Sequence, residues 1–263
     1  MKNGIYFIFI FISINSFGQK PLLKTTAINS SKIEDKTYLG FDGLGNNYYI
    51  KNNEIIKQDN KQKWGYKNVA LGKINSVDII NPLKIIVFYE NFNTIITLDN
   101  QLNEIQKLNL SDIDGSIFAS KIGLGSQNQF WIYNALTQQI MLFDYVNNTS
   151  KNIGNPIQEN IKYTQSDFNN FYWIDEINNW YSIDIFGKLT LLASIPDFEK
   201  IQIITNEKIL FLKDDTMYCL NNKTKTVDKI EIVEKSLQNF YYKDQILAIF
   251  TNQEIKNFKL KLP

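Results

Sequence analysis

The stretch TIITLDNQLNEIQKLNL, residues 94–110, decides the fold. An apolar, β-branched run ends in Asp99, a polar turn follows, and a second run leaves. β-Branched residues suit a pleated, packed strand. Asp and Asn suit the gap because their side chains fold back onto nearby backbone. The phrase predicts a hairpin. It returns as QIMLFDYVNNTSKNI (139–153), as WYSIDIFGKLTLLA (180–193) and, with Asn for Asp, as MYCLNNKTKTVDKI (217–230). The residues that open the turn are Asp59, Asp99, Asp144, Asp184 and Asn221, at steps of 40, 45, 40 and 37.

A second marker keeps the same time. Apolar and aromatic clusters stand at Tyr48–Ile50, Ile85–Tyr89, Phe130–Ile132, Phe171–Trp173, Ile209–Phe211 and Ile246–Phe250. Their centres are 38, 44, 41, 39 and 37 residues apart. Two markers with one period near forty predict repeated supersecondary units, and the content is strand. The third unit reads as four strands: one within 115–125, then 129–134, 139–145 and a weak outer one at 150–157. Asn-Asn pairs at 52–53, 147–148, 178–179 and 221–222 fill the turns. Four-stranded units arranged radially make an all-β, six-bladed β-propeller of antiparallel blades. A seven-bladed ring with one degenerate blade is the alternative, although no seventh cluster is present. The last unit, from about Val233, stops after its third strand. The spare segment PLLKTTAIN (21–29) is expected to supply the missing outer strand and close the ring.

The third-strand Asp with its polar turn (LDNQLNEIQKL, FDYVNNTSKNI, IDIFGKLTLLA) resembles the repeats of bacterial exported propellers of the PQQ-like, NHL-like and TolB-like groups, BamB-like in general character. The resemblance covers the chain from about residue 19 onward and points to no single family. The Trp and Thr-Gly that accompany the motif in PQQ-like repeats are mostly missing, so no quinone or other cofactor is implied.

The first eighteen residues read as a signal peptide. Lys2 is followed by the apolar run 5–12 (IYFIFIFI), and Ser16-Phe17-Gly18 puts small residues at the −3 and −1 positions before Gln19. The run is shorter than the ~20 residues of a membrane span. No Cys near the cleavage site suggests a lipid anchor, and no later segment is long enough to span. Residues 19–263 are then one propeller domain. Without Lys2 the remaining 27 basic and 27 acidic residues balance, so there is no basic field for nucleic acid. The richness in Lys, Asn and Ile resembles, in composition, exported proteins of Flavobacterium-like Bacteroidota. The last blade leaves no room for a C-terminal sorting domain. Periplasmic or outer-membrane association is expected.

The chain has no His and no Arg, and one Cys. Ser-His-Asp and Cys-His sites are excluded, as are His metal ligands and bidentate guanidinium clamps for carboxylate or phosphate. Cys219 lies among apolar residues in MYCL, as an inert core thiol would. Asp112-Ile113-Asp114-Gly115 has half the acids of a calcium loop and reads as an ordinary turn between blades. A glycosidase needs only two carboxylates. Asp42, Asp78 and Asp167, near innermost strands, are the channel candidates. Most aromatics are expected between blades, with Trp64 and Trp180 as the exposed exceptions open to sugar stacking. Thr216, in Asp215-Thr216-Met217, matches a short O-glycosylation pattern of exported Bacteroidota proteins.

These features predict a non-enzymatic, exported interaction scaffold. It would be an accessory subunit of an envelope complex serving outer-membrane assembly, type IX secretion or gliding, or nutrient uptake. Its partners would be envelope proteins. The alternative is a carbohydrate-binding or glycoside-hydrolysing propeller that uses channel carboxylates and aromatics.

Overall fold

The computed structural model describes residues 22–32, 37–59, 61–232, 234 and 237–263. The expected signal peptide lies outside them. Two strands precede the ring, β1 (Leu22–Leu23) and β2 (Thr26–Lys32). The first blade holds β3 (Thr37–Phe41), β4 (Asn47–Lys51), β5 (Glu54–Gln58) and β6 (Lys63–Tyr66). The second holds β7 (Ser76–Asp78), β8 (Ile85–Tyr89), β9 (Thr94–Leu98) and β10 (Glu104–Asn109). A one-turn helix, α1 (Leu110–Ile113), starts the passage to the third blade, where the sequence suggested a plain turn. That blade holds β11 (Ala119–Leu124), β12 (Gln129–Asn134), β13 (Gln139–Asp144) and β14 (Thr149–Ile153). The fourth is β15 (Ile161–Ser166), β16 (Asn170–Asp175), β17 (Asn179–Asp184) and β18 (Leu189–Ser194). The fifth is β19 (Lys200–Thr205), β20 (Lys208–Lys213), β21 (Thr216–Asn221) and β22 (Thr226–Ile230). The sixth is β23 (Asn239–Lys243), β24 (Ile246–Phe250) and β25 (Glu254–Lys259), completed by β2.

The six-bladed reading holds. All six aromatic and apolar clusters lie on second strands, and β2 supplies the outer strand of the last blade. It runs antiparallel to β25, from Thr26 opposite Lys259 to Lys32 opposite Glu254. The sequence did not reveal β1, which adds a fifth strand, parallel, to the fifth blade at Leu22–Lys229 and Leu23–Ile230.

Burial explains the pattern. Strands β8 and β9 are buried at every position, while β2 is exposed at every position. Middle strands are covered on both faces, so they lose the in–out alternation of a half-solvated sheet. Six apolar clusters result, one at each junction between neighbouring blades: Phe88 and Ile95 meet Phe130 and Met141 at the second junction, for example, and Trp131 and Ile140 meet Phe171 and Ile183 at the third. Trp180 belongs to such a cluster and is 0% exposed, which corrects the expectation that it faces solvent. It sits on a third strand, outside the second-strand clusters, and the fifth blade covers it there. Trp64 is half-buried on β6, with the Lys57 ammonium 5.4 Å from its ring centre.

The recurrent Asp does turn work in each blade where it was found. Asp99 Oδ1 accepts the backbone N–H of Gln101 and Asn103, both at 2.8 Å, and Oδ2 accepts the Asn103 side-chain amide. Asp59, Asp144 and Asp184 accept two backbone N–H groups each, and Asn221 does the same with its amide oxygen. Hydrogen bonds hold three of these carboxyls below the ordinary range: first from the Asn103 side chain at Asp99, and first from the backbone N–H of Lys61 at Asp59 and of Asn147 at Asp144. Lowered carboxyls stabilise the fold above the unfolded carboxyl pKa, about 4, and that contribution is lost as pH falls through their folded values. Asp99→Ala is expected to cost about 1 kcal/mol at pH 7, a drop of roughly 2–4 °C in Tm for a domain of this size. Asp99→Asn should keep most of that stability, as Asn221 does in the fifth blade. Calorimetry at pH 7 and pH 3 checks both: the gap between wild type and D99A should narrow in acid.

Candidate functional site

The innermost strands β3, β7, β11, β15, β19 and β23 surround a central channel. Within it lies a cavity of about 670 Å³, lined by residues of all six, among them Leu39, Asp78, Lys121, Gln165, Lys200 and Tyr241. Inner strands have one edge without a strand partner, and buried edge groups need other partners. Side chains supply some of them across the blade junctions. Gln165 accepts the backbone N–H of Ile203 at 3.0 Å and donates to its carbonyl at 2.6 Å. Gln202 does the same for Tyr242, at 2.7 and 2.8 Å. Each amide substitutes for a strand residue and ties one blade to the next. The sequence cue was a lone Gln inside an otherwise β-branched or aromatic inner strand (YTQS, IQII), and it was missed.

Asp78 holds a related position between the second and third blades. Its Oδ2 accepts the N–H of Leu124 at 2.9 Å and its Oδ1 that of Ile80 at 2.9 Å. The residue keeps some surface on the cavity, but protein encloses its carboxylate, and that desolvation raises its pKa above the ordinary Asp value against the pull of the two amides and Lys243. Gly123 opposite leaves room for Ser166 of the fourth blade: a Cβ there would stand 1.9 Å from Ser166 Oγ, while Asp78 Oδ2, at 3.7 Å, would be in ordinary contact. Tyr241, on the same cavity, is pushed up to about 12 by burial and then by Asp78.

The other two acids do not line the cavity. Asp42 closes the β3–β4 turn: it accepts the backbone N–H of Leu44 and Asn46, the Asn46 amide and the Tyr48 hydroxyl at 2.8–3.0 Å. Burial raises its carboxyl, but these bonds outweigh burial and the net shift is downward. Asp167 closes the β15–β16 turn in the same way, with Asn169, Asn170 and Tyr172. The two sit on the first and fourth blades, across the ring from each other. All three acids stand at the same end of an inner strand, on the first, second and fourth blades, and of the three only Asp78 lines the cavity. The second carboxylate on the cavity is Glu199, which the sequence did not single out and whose Oε1 accepts the N–H of Asp214 at 3.0 Å. Cys219 is buried and its thiol is pushed up to about 11 by desolvation, the inert core thiol expected. Thr216 opens β21, after a turn at Asp214 and Asp215 with φ of 49° and 53°.

A second feature is on the surface. In an antiparallel blade, the turns between second and third strands share one face of the ring with the connections between blades. On that face Phe92, Phe118 and Leu136 are exposed. The backbone around Phe118 is pinned on both sides. Asn93 donates to the Ile117 carbonyl at 2.6 Å and accepts from Ala119 N at 3.1 Å; Asn134 donates to the Ser116 carbonyl and accepts from Phe118 N; Ala135 N donates to the Phe118 carbonyl at 2.8 Å. The three apolar side chains thus project from segments fixed to one another across the second and third blades.

No protein-family model matches the chain, and no curated protein does. Among solved structures it is similar to the β-propeller domain of Cps50 (Swd1) from Myceliophteria thermophila, with TM-score 0.58 and 8% identity over 90% of this chain and 100% of that one. It is similar to virginiamycin B lyase from Staphylococcus aureus, with TM-score 0.55 and 14% identity over 92% and 95%. It is also similar to YCF48 bound to D1 peptide, with TM-score 0.51 and 9% identity over 91% and 99%. At these identities the likeness is one of fold.

The two acids of opposite environment give a direct check. In a carboxyl-detected NMR titration, Asp78 should titrate above the ordinary Asp value of 3.8 and Asp42 below it. The reverse order would show that the cavity wall is hydrated at Asp78.

Proposed function

We propose that this chain is a non-enzymatic interaction scaffold, exported and held in the periplasm or at the outer membrane as an accessory subunit of an envelope complex. The observation that carries the reading is the pinned apolar group of Phe92, Phe118 and Leu136. Exposed apolar side chains on a rigid base cost solubility unless a partner covers them, and aromatic side chains held in this way serve as anchors at interfaces. The turn acids point the same way, since Asp42 and Asp167 are engaged locally and are not free for chemistry. Export rests on the apolar run 5–12 and the small residues at 16 and 18. The fold is compatible with both binding and catalysis: YCF48 was solved bound to a peptide, and virginiamycin B lyase is an enzyme. In that lyase, replacing one histidine by alanine gives the catalytically inactive form. This chain has no histidine to play such a part.

Affinity purification from the native envelope in mild detergent tests the reading. A stoichiometric protein partner is expected. Phe118→Lys should lower its recovery at least about tenfold, the effect of losing roughly 1.4 kcal/mol at a buried aromatic anchor. Circular dichroism should be unchanged, because the side chain is exposed. A protein that comes out alone would count against the scaffold and turn attention to a ligand in the Asp78 cavity, with glycans screened first.

A further inference from the structure

We propose that the outer edge of the fourth blade, β18, pairs antiparallel with β18 of a second copy of this chain. Each blade ends in an outer strand whose far edge presents unpaired backbone N–H and C=O groups, a template for another strand unless something blocks it. The molecule demonstrates such addition on itself: the edge of β22 is covered by β1, with Leu23 packed against the core at the fifth junction and its carbonyl accepting from Glu231 N at 2.8 Å. The remaining outer strands carry lysine, the common deterrent to edge pairing. Lys63 stands on β6, Lys107 on β10, Lys151 on β14 and Lys32 on β2. Among the described outer edge strands longer than the two-residue β1, only β18, LTLLAS, has no charged residue. It also exposes its apolar side chains: Leu189 and Leu191 are each 57% exposed, and Phe186 in the turn before it is 86% exposed.

The register identifies the occupant. Strand β18 is regular against β17 from Leu189 to Leu191, opposite Ile183, Ser182 and Tyr181; a bulge at Leu192 follows. An added strand therefore has Leu-Thr-Leu to pair with, and that pattern is its own complement when reversed. With the two-fold axis at Thr190, Leu189 of each copy stands directly opposite Leu191 of the other, so all four leucines share one face, and the two Thr190 residues meet on the opposite face. The nearest charge, Lys188, falls opposite Leu192 of the second copy, and no like charges meet. Two fourth blades would form one continuous sheet across the axis. The contact is small, at the low end of specific interfaces, so a micromolar dissociation constant is expected. This inference is independent of the envelope partner proposed above, which uses the face of the second and third blades.

Two measurements test it together. Sedimentation of the purified protein at roughly 100 µM, well above a micromolar dissociation constant, should give a dimer. Leu191→Lys should give a monomer, and Val69→Lys, exposed on the other side of the ring, should leave the dimer intact. Second, Thr190→Cys should cross-link into a covalent dimer under mild oxidation, because directly opposed antiparallel residues have Cα separations of about 4.5–5.5 Å, within disulfide range. The native Cys219 is buried and should not compete. Leu189→Cys, which faces Leu191 and not itself, should cross-link far less. A monomeric wild type, a dimer that survives Leu191→Lys, or equal cross-linking at 189 and 190 would each overturn the proposal.

Discussion

No blade of this ring can bury its middle strands alone. Strands such as β8 and β9 are apolar on both faces, so each sheet needs a neighbour on either side. A row of such sheets would leave two naked faces at its ends, and only closure removes them. Everything else follows from that demand. The inner strands are drawn around a channel, the outer strands are left more exposed, and β2, from the start of the chain, is used to finish its last blade. Gln165 and Gln202 then satisfy inner edges that closure has brought side by side but that lie too far apart for direct pairing.

The same economy of form limits chemistry. Carboxylates are numerous in the turns because a short polar side chain is the simplest acceptor for the N–H groups a tight turn leaves over. An acid that accepts three or four hydrogen bonds within its own turn, as Asp42 and Asp167 do, is held in place and is poorly available to a substrate. Asp78 differs because it sits at the end of the short β7, accepts from the neighbouring blade and borders open volume. On the surface, side-chain amides hold the backbone on either side of Phe118, so its exposed ring stands on a fixed segment.

What the sequence disclosed was whatever repeats. Six second-strand clusters and five turn residues recur near every fortieth position, and a recurring physical demand leaves a recurring mark. Single events left none. The two residues of β1 are too few to show a period, and their pairing depends on an edge some two hundred residues away. Trp180 lies outside the second-strand clusters, which made it look exposed; which flank of a blade its neighbour covers cannot be read from local sequence. Asp42 and Asp167 were more legible than the reading made them. Each is followed closely by Asn-x-Tyr (Asn46 to Tyr48, Asn170 to Tyr172), and these are the groups that engage the carboxylate. The pinned patch and the glutamine bridges needed three dimensions, because their partners lie on different blades.

The pairing of β2 with β25 also bears on how the molecule comes into being. Asn257 reaches Asn29 across 228 positions of chain. A polypeptide made from its amino end must keep residues 26–32 unpaired while five blades take shape and wait for the last strand to be synthesised. Contacts between the ends of a chain are the slowest to form and the least rewarded until late. The sixth blade is therefore the latch of the ring. Until it engages, the first and last blades expose apolar flanks, and the protein spends its most vulnerable interval one strand short of finished.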